Sequence, residues 1–293
     1  MKSLLSAALL AGIILFVARP AFAGFGEPDT NDNYPNVGVM IIFDYSIPPP
    51  LPPISTFCSG VLISERHFLT AAHCVDWIST VESPVVVVSF DRVVDPFSSP
   101  MIPVVDWYMH PDYPQGQWMS PGSSPGIAGL KNDIGILEID PNFIPAAIFA
   151  VLPAKLPEQG LLDRWKREGK LKQAEIVNVG YGIVPTLIGP PGYWPPDGTR
   201  RFSTSRFTGM TQDFLKQRMN LHTGDAGSSA QGDSGSPKFL ASDESRTILA
   251  ITSWGDPPDR AMVSSVRVDT AEVLSFVECV LNLPDPPPDP SPC

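Results

Sequence analysis

"CSGVLISERHFLTAAHC", residues 58–74, places His73, one of only four histidines, directly before one of only four cysteines in a chain of 293 residues. Within it, Gly60 to Ile63 and Phe68 to Ala71 read as two short strands joined by a polar turn. A bridge between Cys58 and Cys74 would pin the segment that carries His73. On its own a histidine in such a place is structural, so its meaning depends on what the rest of the chain supplies.

Working outward, further runs rich in β-branched residues have strand character: Val37 to Phe43, Val85 to Phe90, Val104 to Tyr108, Ile134 to Ile139, Ile176 to Val179, Ile248 to Trp254 and Met262 to Val268. Helix is expected only at Leu161 to Glu168 and at Thr270 to Leu281, where Asp269 or Thr270 can cap the start. The prolines gather at 48–53, 190–196 and 284–292, marking connections and a stiff tail. The strand-poor stretch 153–172 divides the β-rich chain into halves of similar length. The expected organisation is therefore a β-barrel over 24–152, a connection over 153–172, a second barrel over 173–269, a helix over 270–283 and a Pro-rich tail over 284–293.

Residues 1–23 stand apart. Lys2 gives a positive start, Leu4 to Val17 form an apolar run too short to span a bilayer, and Ala21-Phe22-Ala23 is a small-residue cleavage pattern. This reads as a signal peptide, so the mature chain is expected to begin at Gly24 and to be secreted. Removing it leaves 18 basic against 31 acidic residues, a net charge of about −13 against −11 for the whole chain. Such a surface repels nucleic acid and anionic membranes, and neither is an expected partner. In an exported chain four cysteines read as two disulfides. Of three possible pairings, Cys58 with Cys74 and Cys279 with Cys293 is favoured, because each closes a local loop.

Two further motifs change the weight of His73. "NDIGILEID", residues 132–140, puts Asp133 at the mouth of an apolar strand, and "QGDSGSP", residues 231–237, sets Ser234 in a glycine-flanked turn. A serine hydroxyl is a weak nucleophile until an imidazole takes its proton, and the imidazole works best when a buried carboxylate fixes its tautomer. Glycines beside the serine let the backbone amides, here of Gly232 and Ser234, point at a developing oxyanion. The order histidine, aspartate, serine excludes an α/β-hydrolase, which runs serine, acid, histidine and wants G-x-S-x-G where this chain has Ser236 in place of the last glycine.

With these motifs the sequence resembles the trypsin-like (chymotrypsin-fold) serine proteases, most closely their secreted bacterial branch, from about Glu27 to Val280. "GEPDTNDNYPNVGVM" (26–40), "VGYG" (179–182) and "TSWG" (252–255) are similar to the family's start, the opening of its second barrel and its substrate-binding strand. The resemblance implies an all-β fold of two six-stranded antiparallel Greek-key barrels with a C-terminal helix. It implies His73, Asp133 and Ser234 as catalytic residues, and Gly232 and Ser234 as oxyanion donors. Ser253, Trp254 and Gly255 would pair with an extended substrate strand, and Ser228 would sit at the base of the P1 pocket. The activity so implied is a secreted endopeptidase, working as a monomer on protein or peptide substrates. The competing readings are a catalytically silent binding protein on the same fold and an esterase.

Several positions depart from the family pattern. Ser228 offers no carboxylate to a basic P1 residue, so an apolar or small P1 is expected, with Asp256 as the one acidic residue that argues for a basic one. Ala230 stands where cysteine is common, and its partner loop, 256–261, also lacks one. Asp233 fills the position that pairs with an inserted amino terminus, although no basic activation site precedes Gly26; the leader cut at Gly24 would free a terminus nearby. His110, in a His-Pro-Asp turn, is expected to be structural, and His67 and His222 solvated. Gly180-Tyr181-Gly182 lacks a dinucleotide context, and no H-E-x-x-H, C-x-x-C or EF-hand loop occurs, so neither cofactor nor metal is expected. The Gly-, Pro- and Ser-rich stretch 113–130 lies just before Asp133 and is placed to overhang the cleft.

Overall fold

The computed structural model describes residues 26–49, 53–116, 131–143, 153–182, 197–218, 227, 229, 232–255, 262–284 and 293. A two-residue strand, β1 (Glu27–Pro28), precedes the first barrel, which comprises β2 (Val37–Phe43), β3 (Ile54–Leu62), β4 (His67–Thr70), β5 (Val85–Ser89), β6 (Ile102–Met109) and β7 (Gly135–Ile139). These close in the order β2-β3-β4-β7-β6-β5, all antiparallel. The second barrel comprises β8 (Glu175–Gly180), β9 (Arg201–Met210), β10 (Phe214–Arg218), β11 (Pro237–Leu240), β12 (Ala250–Gly255) and β13 (Met262–Arg267). Its order is β9-β10-β13-β12-β11-β8; β8 closes back on β9, and β1 adds beside the start of β9. Two six-stranded antiparallel barrels are therefore what the sequence led one to expect.

Three helices complete the described residues: α1 (Ala72–Asp76), α2 (Leu161–Arg167) and α3 (Ala271–Leu281). In α3 the Thr270 hydroxyl caps the start by accepting from the Val273 amide, and Val273, Phe276, Val277 and Val280 recur at helical spacing to bury one face. That face joins a single apolar cluster with barrel 1 residues such as Met40, Ile42, Phe68 and Leu137 and with Val179 and Phe239 of barrel 2. A smaller cluster, with Ile176, Leu215, Leu249 and Ala250, is capped by Leu161 and Leu162 of α2. Both disulfides join the cysteines as expected, Cys58 to Cys74 and Cys279 to Cys293.

One side chain fastens the parts together. Arg200 has no exposed surface, and its guanidinium donates to Asp29 at 3.0 Å, to Asp32, and to the carbonyls of Val37 and Phe90 at 3.1 and 3.0 Å. The entering segment, barrel 1 and barrel 2 thus share one buried cation, each of whose three nitrogens donates to an acceptor. His67 corrects the sequence reading: it is buried on β4 rather than solvated, with Nδ1 2.7 Å from Ser64 Oγ. Desolvation first, then the neighbouring Arg66, pushes its pKa down to about 4. His110 is also buried, where its ring packs on Phe276 and its Nδ1 faces the Asp112 amide at 3.2 Å. His222 lies outside the described residues.

Candidate active site

β4 ends at Thr70 and the chain turns directly into α1, which carries both His73 and Cys74; the Cys58–Cys74 bridge ties that helix to β3. Asp133 comes from the turn before β7 and has no exposed surface. One of its oxygens, Oδ1, accepts from the His73 backbone amide at 2.8 Å, and the other, Oδ2, lies 2.8 Å from His73 Nδ1. The same Oδ2 accepts from the Ser253 hydroxyl at 2.5 Å. With Nδ1 donating to the carboxylate, the imidazole is the tautomer whose Nε2 carries the lone pair.

Ser253 has a local reason to reach Asp133. The β12–β13 register shifts between Thr252 and Trp254, so Ser253 sits in a bulge, a device that re-aims a side chain beside a site. Sequence reasoning gave Ser253 a backbone role with substrate; its hydroxyl contact across 120 residues was not legible. Trp254 and Gly255 continue β12, paired with Ser264 and Val263.

Ser234 lies in the turn before β11, and its carbonyl accepts from the Ser59 amide at 2.8 Å. Gly235, at φ +80°, presses that turn onto the histidine segment: a Cβ there would lie 2.2 Å from the Ser59 carbonyl oxygen and 3.0 Å from the Ala71 nitrogen. Only glycine fits, and the close approach brings the residue beside Ser234 against the chain two positions before His73. Gly232 adopts φ +96° with its Cα face against the Phe57 ring, and its carbonyl accepts from Ser59 Oγ at 2.9 Å. Ser59 Oγ also accepts from the Tyr181 amide, so one hydroxyl fixes the serine turn to the end of β8.

Asp233 turns toward the same strand end. Its Oδ1 accepts from the Gly182 amide at 2.8 Å, and a Cβ on either Gly180 or Gly182 would fall 2.3 Å from a carboxylate oxygen. The two glycines of "VGYG" therefore serve close approach rather than a nucleotide. Ser228, Asp256, Ala230 and Gly24 fall outside the described residues. So does 117–130 of the stretch before Asp133, whose near end is anchored by the Gly116 amide donating to Asp76 at 2.7 Å.

Two features escaped sequence reasoning. Tyr113 is buried near Asp133 and Asp76; desolvation and these two carboxylates hold its phenol protonated far into alkaline pH. Lys238, on β11, has no exposed surface. It pairs across the sheet with Asn178 and Ala250, and so shares the face of Asn178. Asn178 in turn hydrogen bonds Ser203 and Ser205 and accepts from Gln217, forming a polar interior in barrel 2. The Lys238 ammonium donates to Ser229 Oγ at 2.8 Å, and desolvation, opposed by the charge of Asp233, brings its pKa down to about 7.

Cys58, His73 and Cys74 come close enough to suggest a metal set, but both sulfurs are spent in the disulfide. Two clefts among the described residues, one around Arg92 and Arg200 and one around Arg267, include no residue of the His73–Asp133–Ser234 group.

The fold and this arrangement define a chymotrypsin-like protein. Residues 31–277 match the family model described as Trypsin, and the chain belongs to the trypsin family of serine proteases. Among solved structures, that of HL collagenase is similar at 15% identity, with a TM-score of 0.57, covering 89% of this chain and 98% of that one. At that identity the likeness speaks for the fold.

Proposed function

We propose that the protein is a secreted serine endopeptidase, similar to the secreted bacterial members of its family, in which Ser234 attacks the scissile carbonyl. His73 Nε2 takes the hydroxyl proton and returns it to the leaving amine; water then attacks the acyl-enzyme, with His73 again as base. Asp133 orients the ring and stabilises its protonated form, while the amides of Gly232 and Ser234 hold the oxyanion, each donor contributing about 3 kcal/mol. The observation that carries the reading is the convergence of the His73 amide, His73 Nδ1 and Ser253 Oγ on the buried Asp133 carboxylate. A histidine kept for packing alone has no use for that tautomer lock. Substrate would add as an extended strand to Ser253, Trp254 and Gly255. Secretion rests on the leader pattern of residues 1–23 together with the two disulfides. Among the described residues no helix is long and apolar enough to cross a membrane.

With Ser228 at the base of the P1 pocket, the P1 side chain is apolar or small rather than basic. The test is labelling with a fluorophosphonate beside hydrolysis of an unstructured protein such as casein. Stoichiometric labelling and hydrolysis, both lost in Ser234→Ala, are expected. Folded protein that does not label is the binding-protein outcome, and labelled protein that turns over esters but no peptides is the esterase outcome; either overturns the reading.

A further inference from the structure

Three successive carbonyls of the turn that carries the nucleophile, those of Gly232, Asp233 and Ser234, each accept a hydrogen bond. Backbone amides supply two of these bonds, Ser236 to Asp233 at 2.9 Å and Ser59 to Ser234 at 2.8 Å. The third comes from a side chain: the Ser59 hydroxyl donates to the Gly232 carbonyl at 2.9 Å, across 173 residues of sequence. One serine of β3 thus holds both Gly232 and Ser234, the two residues whose amides are assigned to the oxyanion. Of the three bonds, the one to Gly232 is the bond that a side-chain substitution can remove while the backbone keeps the others.

The surroundings of Ser59 aim its hydroxyl. The residue has no exposed surface, and Thr70 Oγ1 donates to its carbonyl at 2.8 Å. On the other side the Tyr181 amide donates to Ser59 Oγ at 2.9 Å, and Tyr181 is itself fixed by its phenol, which donates to the Asp91 carbonyl at 2.7 Å. A hydroxyl has one proton to give, and with Oγ already accepting from Tyr181 that proton goes to Gly232. Gly180 makes the room, since a Cβ there would lie 2.9 Å from Ser59 Oγ. Gly232 needs the restraint. At φ +96°, with a Cβ position 2.4 Å from the Phe57 ring, it must be glycine, and a glycine can turn its peptides either way. A bond on its carbonyl removes that freedom before substrate arrives, which is what a preorganised donor requires.

We infer that Ser59 is a positioning residue for the oxyanion hole, whose hydroxyl fixes the Gly232 amide toward the charge that develops on the scissile carbonyl oxygen. This rests on the endopeptidase reading. Ser59 acts through Gly232 and touches neither substrate nor reacting atoms. In Ser59→Ala the backbone bond to Ser234 and the Asp133 bonds to His73 remain, so the Gly232 donor alone is loosened.

The test compares wild type, Ser59→Ala and Ser59→Cys in the rate of fluorophosphonate labelling, whose phosphoryl oxygen occupies the same hole, and in kcat, KM and pH profile on a casein peptide that the wild type cleaves. In Ser59→Ala the labelling rate and kcat are expected to fall together by about 10- to 100-fold, short of the loss on deleting a donor outright. KM should stay within about twofold, and the acid limb that reports His73 should not move, because binding and the histidine are untouched. Ser59→Cys, similar in shape and a weaker donor, should fall between the two. Should Ser59→Ala fail to fold, Ser59→Cys decides by the same measurements. Wild-type labelling and kcat in the folded variant overturn the inference and leave the endopeptidase reading standing. So does a loss of kcat matched by a rise in KM or a shifted acid limb, the sign of a site loosened as a whole. A wild type that neither labels nor cleaves overturns the endopeptidase reading, and this inference with it.

Discussion

Barrel 1 encloses apolar side chains, with Met40, Ile42, Phe68 and Leu69 all fully buried, whereas barrel 2 encloses Asn178, Ser203, Ser205, Gln217 and Lys238 beside its Ile176 and Leu215. The two share a strand topology and differ in what they invest inside it. Barrel 1 holds His73 on α1, tied to β3 by the Cys58–Cys74 bridge, and Asp133 in the turn that enters the buried strand β7. Barrel 2 spends interior volume on hydrogen bonds that must all be met to be worth having. Its polar layer lies against the serine turn, where Ser236 Oγ and Thr252 Oγ1 meet at 2.7 Å. Apolar packing fills one barrel, and a hydrogen-bonded polar layer shares the interior of the other.

Three changes bear on that contrast. The largest effect is expected where the barrels meet. Asp133→Asn removes the carboxylate that barrel 1 offers to His73 and to Ser253 of barrel 2, and should lower kcat by about 10^4-fold, as in the worked Ser-His-Asp template. A drop below tenfold would show that the seam does not organise the histidine. Next, Phe68→Ala in barrel 1 opens a cavity beneath Phe90, whose ring meets it edge-on at 5.8 Å, and should cost about 3–5 kcal/mol by urea unfolding. The barrel 2 counterpart, Gln217→Leu, keeps the volume but deprives Asn178 Oδ1 of its donor, and should cost about 1–3 kcal/mol. Equal costs would erase the distinction drawn here.

The third change is in pH, and the barrels should respond at opposite ends. For His67 in barrel 1 the folded pKa, about 4, lies below its ordinary 6.5. Between those values the unfolded chain binds the extra proton, so stability present above pH 6.5 is lost on acidification, to the extent of about 3 kcal/mol. For Lys238 in barrel 2 the folded value of about 7 lies below 10.5, so stability grows as pH rises across that window. Unfolding midpoints measured from pH 4 to 10 should lose the acid limb in His67→Gln and the alkaline rise in Lys238→Met. At neutral pH the Lys238→Met change is expected to raise stability, because it removes a buried ionisable group whose pKa desolvation holds down at about 7.

The same contrast explains what could be read in advance. Val37–Phe43 was legible to the residue, and β5, β7 and β13 within one residue or so, because a strand packed on both faces carries a run such as VGVMIIF. In barrel 2, β9 (RFSTSRFTGM) and β10 (FLKQR) were missed, since their inward positions are Ser203, Ser205 and Gln217 and no apolar alternation survives. β11 (PKFL), which carries Lys238, was missed for the same reason. The residues of the candidate site were legible because glycine-bound turns and adjacent motifs lie in the primary sequence. The hydroxyl of Ser253 was not, since its aim depends on a bulge created by pairing with a distant strand. His67 misled because burial on β4 is decided by β7 lying across it, not by its own neighbours.

Arg200 has a consequence for how the molecule comes into being. Its guanidinium gathers Asp29, Asp32, Val37 and Phe90 from the first third of the chain onto a residue that is synthesised much later. Until that late segment arrives, the Asp29 carboxylate and the Val37 and Phe90 carbonyls lack the guanidinium that joins them. A chain cut before Arg200 would therefore lack the one cation that fastens the entering segment to both barrels.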